Sequence, residues 1–425
     1  MITGEYYNIF GITKLDADLS DVESSKEEKN VAFLHERIHY IQNFSTVYGV
    51  NRALLKMSQY LGAILQIQEG KFPSKPFERE DQEFIGAIFE MAEGDSFDDE
   101  GNIVQCHAVQ KIEEIDNYTF FGYDVEFPEY RYLYKNQLAL KYDDGKEYYF
   151  GGSAISESMS YLFEQIFFNE VEYSHRLPYD ACNLIYKYLV KTECKCTVLV
   201  ALCYSSLMSM WPGNTFVDLC KCIKENNIEL NSAKEVFNFA KEKMQEVPIQ
   251  IVDEILKKLD LIFPEEKEFP VKVFEEESNY AREWLKTKYK FLIEREEEFR
   301  EALVWILDEV EDDKKLALMS CLLDEYGQPI IIDSKGKMYS GEDKKLVHAL
   351  APLSLYKIVI ERNPTCFMNE ICISNDGIPD EDCKKWCWKH KSSNGFCILR
   401  YYLYKMGLGA IEFEKLENTP FVYEK

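Results

Sequence analysis

The segment Phe33-Leu34-His35-Glu36-Arg37-Ile38-His39-Tyr40-Ile41-Gln42 holds two histidines four residues apart, with a glutamate directly after the first. On a helix, residues four apart share a face one turn above each other, so His35 and His39 can aim two imidazoles at one ion. Neutral imidazoles at that spacing suit zinc, and Glu36 between them is placed to act as general base toward a water on the metal. The chain has only 6 His in 425 residues, which makes their pairing at helical spacing informative. A catalytic zinc takes three protein ligands and leaves a position open for water, so a third group must come from elsewhere.

The flanking residues predict the helix this chemistry needs. Ser24 and Ser25 stand three residues before Glu27 and Glu28, a capping-box pattern for a helix start. Val31, Leu34, Ile38 and Ile41 recur at three- and four-residue steps and make one apolar stripe. His35, His39, Gln42 and Thr46 form a polar stripe beside it. Gln42, three residues after His39, reads equally well as a support for a ligand or as an ordinary polar position.

For the third ligand the sequence favours Glu157, in Gly151-Gly152-Ser153-Ala154-Ile155-Ser156-Glu157-Ser158-Met159-Ser160-Tyr161-Leu162-Phe163-Glu164. Ser153 is a natural N-cap, and the helix it opens is expected to run to about Asn169. Ile155, Met159, Leu162 and Ile166 form its apolar stripe, leaving Glu157, Tyr161 and Glu164 on another face. The small residues Ser153, Ala154, Ser156, Ser158 and Ser160 let this helix approach another closely. Glu164 and His175 are the alternative ligands. If Glu157 is the ligand, Glu164 is expected to support the site from behind.

This combination resembles the gluzincin branch of the zincin metallopeptidases, in which one helix bears His-Glu-x-x-His and a later helix adds a glutamate. The resemblance covers residues 31–46 and 151–165, with an inserted β region between them. Arg37 departs from it, since such helices mostly carry uncharged residues there. The resemblance implies a Zn2+ held by His35, His39 and Glu157, with Glu36 activating water and then passing its proton to the leaving amine. It also implies a donor for the tetrahedral oxyanion. His175 is the first candidate for that role, with Tyr161 and Tyr179 behind it. A non-enzymatic protein is the rival reading, with the zinc purely structural or the peptidase-like module inactive. A fourth protein ligand would mark it.

Whole-chain properties limit the partners. A net charge of −26 and a pI near 4.8 argue against sequence-independent nucleic-acid binding and against an anionic membrane surface. Hydrophobic residues make up 46% of the chain, enough for a substantial core. Residues Met1–Tyr7 show neither a basic nor an apolar leader region, and the longest apolar run, Val198–Met210, is too short to span a bilayer. That run reads as a buried helix. With no leader, 13 cysteines imply reduced thiols or metal ligands in a cytoplasmic protein. Cys366, Cys372, Cys383, Cys387 and Cys397 gather near His390, but no Cys-x-x-Cys knuckle marks a second zinc site, and ordinary thiols are expected. Cys194/Cys196 and Cys220/Cys222 are expected simply to pack. The expected partners are a polypeptide substrate and, for an activity that waits on a trigger, a regulatory protein.

The expected fold class is α+β, predominantly helical, with a zincin-like core, a small antiparallel sheet and a helical C-terminal half. Short strands are expected before residue 22, a helix over Asn51–Glu69 ending at Gly70, and another over Phe84–Met91 before an acidic loop at 93–101. Strands follow within Tyr118–Phe127 and Gln137–Phe150, the latter folded about Asp143-Asp144-Gly145-Lys146. The zincin resemblance implies a sheet edge lining the substrate cleft by β-augmentation, a role expected of the strands between Tyr118 and Phe150. Residues 179–311 read as almost continuous helix, including a long charged one from Phe274. The tail from Lys314 reads as short elements with turns such as Asp333-Ser334-Lys335-Gly336. Three regions result: a zincin-like core over 1–175, a helical domain over 176–312 and a cysteine-containing region over 313–425.

Overall fold

The computed structural model describes residues 4–19, 26–70, 92–95, 104–105, 108–115, 137–142, 147–168, 176–243, 250–264, 272–339, 344–361, 363, 365–369, 372, 383 and 397–408. The capping serines 24 and 25, the segments 84–91 and 118–127, the turn 143–146, His175, Cys387 and His390 lie outside them.

The two histidines sit in α1 (Lys26–Ser45), which is almost continuous with α2 (Val47–Gln68). The break falls at Thr46, whose backbone is extended at φ −123 and ψ 150. Its hydroxyl accepts the Gly49 N–H at 3.1 Å and donates to the Gln42 carbonyl at 2.6 Å, so one side chain closes α1 and caps α2. Helix α2 therefore starts at Val47 rather than Asn51. A Cβ on Gly49 would lie 2.3 Å from the Gln42 carbonyl oxygen, so only glycine fits at this junction.

Strands β1 (Gly4–Tyr7) and β2 (Ile12–Leu15) pair antiparallel, with Tyr6 opposite Thr13. The short β3 (Val104–Gln105) pairs with β7 (Arg176–Leu177). Between them lie β4 (Val109–Ile115), β5 (Gln137–Tyr142) and β6 (Glu147–Phe150), an antiparallel meander with β5 central. The expected hairpin is present, as Leu138 faces Phe150 and Lys141 faces Glu147. On β6, the Tyr149 carbonyl accepts the Asp95 N–H at 2.7 Å, and the Tyr149 N–H donates to Asp95 Oδ2 at 2.9 Å.

Strand β6 runs straight into α3 (Gly152–Phe168), the Glu157 helix. It begins at Gly152, one residue before the expected cap, so Ser153 lies in its first turn. A Cβ on Gly152 would lie 2.4 Å from the Tyr48 ring, and one on Gly151 would lie 2.4 Å from the Glu93 carbonyl oxygen. Helix α3 packs against α1, with Ile155 and Met159 buried in the shared core.

The following helices are α4 (Ala181–Val190), α5 (Cys196–Leu207), α6 (Pro212–Glu225), α7 (Ala233–Lys243) and α8 (Gln250–Ile262). Helix α5 holds most of the apolar run noted above and is buried from Val198 through Leu207. Next come α9 (Lys272–Tyr289), α10 (Phe291–Glu294), α11 (Glu296–Asp308) and α12 (Asp312–Tyr326). The charged stretch from Phe274 is thus three helices rather than one, and the tail opens with a full helix. Strand β8 (Ile330–Ile332) pairs in parallel with β2 and antiparallel with β9 (Met338–Tyr339), giving a mixed sheet in the order β1-β2-β8-β9. The 333–336 turn connects β8 and β9. A 3-10 helix (Lys344–Ala349), α13 (Leu350–Val359) and α14 (Ile398–Lys405) follow.

The protein is α+β and predominantly helical. One continuous cluster of buried apolar side chains reaches from Tyr7 to Leu408. No helix among the described residues is long and apolar enough to cross a membrane.

Candidate metal centre

Helices α1 and α3 bring His35, His39 and Glu157 together across more than a hundred residues of chain. The Nε2 atoms of His35 and His39 are 3.0 Å apart. Glu157 Oε2 lies 3.2 Å from His35 Nε2, and Oε1 lies 3.3 Å from His39 Nε2. Ligands about 2.0–2.1 Å from a tetrahedral ion stand roughly 3.3–3.4 Å from one another. The three donors therefore mark out about one face of such a tetrahedron. Among the described residues this is the one group of three or more His, Cys, Asp or Glu side chains arranged to hold an ion.

The far edges of both rings are engaged. His35 Nδ1 donates to Glu164 Oε1 at 2.6 Å, and His39 Nδ1 donates to Gln42 Oε1 at 2.8 Å. The Gln42 amide is oriented by its own donor, Nε2, which reaches the Ser156 carbonyl at 3.0 Å. With each Nδ1 carrying the hydrogen, each neutral imidazole presents a lone pair at Nε2. Two lone pairs and a carboxylate then face one another at about 3 Å, an arrangement that repels itself unless a metal ion or a proton sits between them. The donor set fits zinc, and the outer hydrogen bonds are of the kind that orient metal-bound histidines.

The electrostatics agree. Burial pushes the His35 imidazole toward its neutral form, yet hydrogen bonds to Glu157 and Glu164 outweigh it and hold its pKa well above 6.5. Burial likewise raises the Glu157 carboxyl, but His39 and His35 beside it bring it well below the usual carboxylate range. This pocket draws positive charge. Glu36 behaves differently: burial raises its pKa, and the nearby histidines only partly counter that. One of its carboxylate oxygens is buried without a hydrogen-bond partner among the described residues. Such a carboxylate is suited to accepting a proton.

Arg37 points away from this centre. Its guanidinium pairs with Asp324 on α12 and lies 5.3 Å from the centre of the Phe33 ring. The charge that departs from the zincin pattern thus serves a contact between helices. Tyr179 meets the His35 ring edge to face at 6.0 Å, and Tyr161 lies 6.2 Å from Tyr179. Glu164, an alternative ligand by sequence, takes the supporting position instead.

Three groups near the centre escaped the sequence reading. Arg52 on α2 pairs with Glu93 at 2.5 Å, and both Arg52 and Tyr48 are within electrostatic reach of Glu157. Tyr6 on β1 is within electrostatic reach of Glu36. The available signal was the glycines Gly94, Gly151 and Gly152, which mark where chain segments crowd together around α3. Of the C-terminal thiols, Cys366 donates its N–H to the Cys383 carbonyl at 3.0 Å, and burial pushes the Cys372 thiol up to about 11. High thiol pKa values suit packing rather than reactivity.

Compared with known protein families, curated proteins and solved structures, the chain matches none.

Proposed function

We propose that the protein is a zinc-dependent peptidase of the zincin type, working in the cytoplasm on polypeptides. The observation that carries this reading is the geometry around His35 and His39. Each ring turns Nε2 toward Glu157 while its Nδ1 is held by a separate acceptor, and Glu36, one of whose buried oxygens has no hydrogen-bond partner among the described residues, is within electrostatic reach of both rings.

Zinc bound by His35, His39 and Glu157 would polarise the scissile carbonyl and acidify a water molecule. Glu36 would accept a proton from the attacking water and return it to the departing amine, a shuttle that a raised carboxyl pKa favours. Glu164 and Gln42 hold the rings in the required tautomer throughout. Among the described residues three protein groups converge, and a tetrahedral ion held by three groups would keep one position for water, as catalysis requires.

The test combines metal analysis with cleavage of a peptide library. The protein should bind about one zinc, and Glu36→Gln should abolish hydrolysis while the zinc remains bound. Unchanged cleavage by the Glu36→Gln protein would rule out this mechanism.

A further inference from the structure

A hydrolytic site of this design needs a donor for the negative oxygen that forms when water adds to a carbonyl. We propose that the Tyr6 hydroxyl on β1 is that donor, an inference that rests on the hydrolase reading above. Tyr6 would keep its proton and give a hydrogen bond that strengthens as charge develops on the oxygen.

Three observations place Tyr6 there. First, successive side chains of a strand point to opposite faces. Tyr7 goes to one face, where its hydroxyl meets Lys357 Nζ of α13 at 2.5 Å. Tyr6 therefore goes to the other, where Glu36 and Arg52 are within electrostatic reach of its hydroxyl. Second, the Tyr6 hydroxyl is buried and has no hydrogen-bond partner among the described residues, as does one oxygen of Glu36. Buried polar groups are nearly always paired, so two unpaired ones within electrostatic reach of each other, where β1 packs on α1, mark a place where a reacting group or water belongs. Third, the strand is tied to the catalytic helix. Asn43 Nδ2, one turn beyond His39, donates to the Asn8 carbonyl at 2.8 Å. The Tyr289 hydroxyl adds bonds to the Asn8 and Ile9 carbonyls at 3.1 and 3.0 Å.

The chemistry of the phenol fits. Burial, followed by the neighbouring Tyr289, Tyr40 and Glu36, pushes its pKa well above 10, so it remains a donor at neutral pH. Tyr48 is a useful contrast. Its hydroxyl is also buried without a partner among the described residues, but its ring lies against Gly152 and its charged neighbours are Glu93, Arg52 and Glu157. Its charged neighbours thus include the candidate ligand Glu157 rather than the base.

The experiment uses the full chain loaded with Co2+ and reads visible absorption during titration. Methylphosphonate serves as the tetrahedral anion and acetohydroxamate as the planar ligand. Tyr6→Phe should weaken methylphosphonate binding by roughly 10- to 100-fold, the cost of one hydrogen bond to a charged group. It should leave cobalt content and acetohydroxamate affinity unchanged and should not lower Tm, because the hydroxyl has no partner to lose among the described residues. Tyr48→Phe should leave methylphosphonate affinity unchanged. Wild-type methylphosphonate affinity in Tyr6→Phe would overturn the role of Tyr6 alone, as would a loss of cobalt or a lowered Tm, which would make the hydroxyl structural. A wild-type protein that binds neither cobalt nor methylphosphonate would overturn the hydrolase reading as well.

Discussion

Glu157 and Glu164 lie seven residues apart on α3 and grip opposite edges of the same imidazole. Glu157 Oε2 is 3.2 Å from His35 Nε2, and Glu164 Oε1 is 2.6 Å from His35 Nδ1. Seven residues make two helical turns, so the carboxylates share a face and can bracket one ring. Their roles differ by position: one faces the centre where an ion would sit, and the other holds the ring that would bind it.

That division predicts unequal substitutions. Glu157→Ala removes a charged ligand and should abolish tight zinc binding. Glu164→Gln leaves the ligands in place and should weaken affinity by roughly 10- to 100-fold. Competition with a chromophoric chelator measures both. Equal affinities in the two variants would contradict the assignment.

Proton and metal should compete for His35. Its pKa in the folded protein lies above 6.5, so in the metal-free protein the imidazolium stabilises the fold fully below about pH 6.5. That stability is lost as pH rises through the higher folded value. Thermal melts of chelator-treated protein should therefore show a contribution that fades on the alkaline side and is smaller in Glu164→Gln. Added zinc should restore stability there, because the metal takes the place of the proton. A metal-free melting profile identical in the two proteins would argue against this linkage.

Gly94 and Gly152 should be intolerant of even a methyl group. Gly94 has φ +67, and its Cβ would lie 2.5 Å from the Tyr149 carbonyl oxygen. Gly94→Ala should cost more than about 1 kcal/mol by denaturant unfolding. Gly152→Ala drives a Cβ against the Tyr48 ring and should shift α3, lowering stability and zinc affinity together. Unchanged zinc affinity in a destabilised Gly152→Ala protein would show that the start of α3 does not position Glu157.

Arg37 should matter for stability alone. Arg37→Ala loses the pairing with Asp324 and the stacking on Phe33, at a cost of about 1–2 kcal/mol. Its zinc affinity should match wild type, since the side chain points away from the centre. A large fall in zinc affinity would mean that the α1–α12 contact sets the tilt of the histidines.

Much of the centre was legible from local rules. The four-residue spacing of His35 and His39, and the seven-residue spacing of Glu157 and Glu164, define helix faces whatever surrounds them, because side-chain direction on a helix follows from its backbone geometry. Of the apolar stripes, Leu34, Ile38, Ile41, Ile155, Met159 and Leu162 are buried as expected, while Val31 and Ile166 at their ends are half-buried. Three matters were decided only by tertiary structure. The direction of the Gln42 amide depends on the Ser156 carbonyl, which belongs to another helix. The partner of Arg37 comes from α12, far along the chain. The position of Tyr6 depends on a sheet that joins β2 to β8 across more than three hundred residues. Helix periodicity is a local property of the chain, whereas hydrogen-bond partners and sheet neighbours are set by which distant segments the packed core brings together.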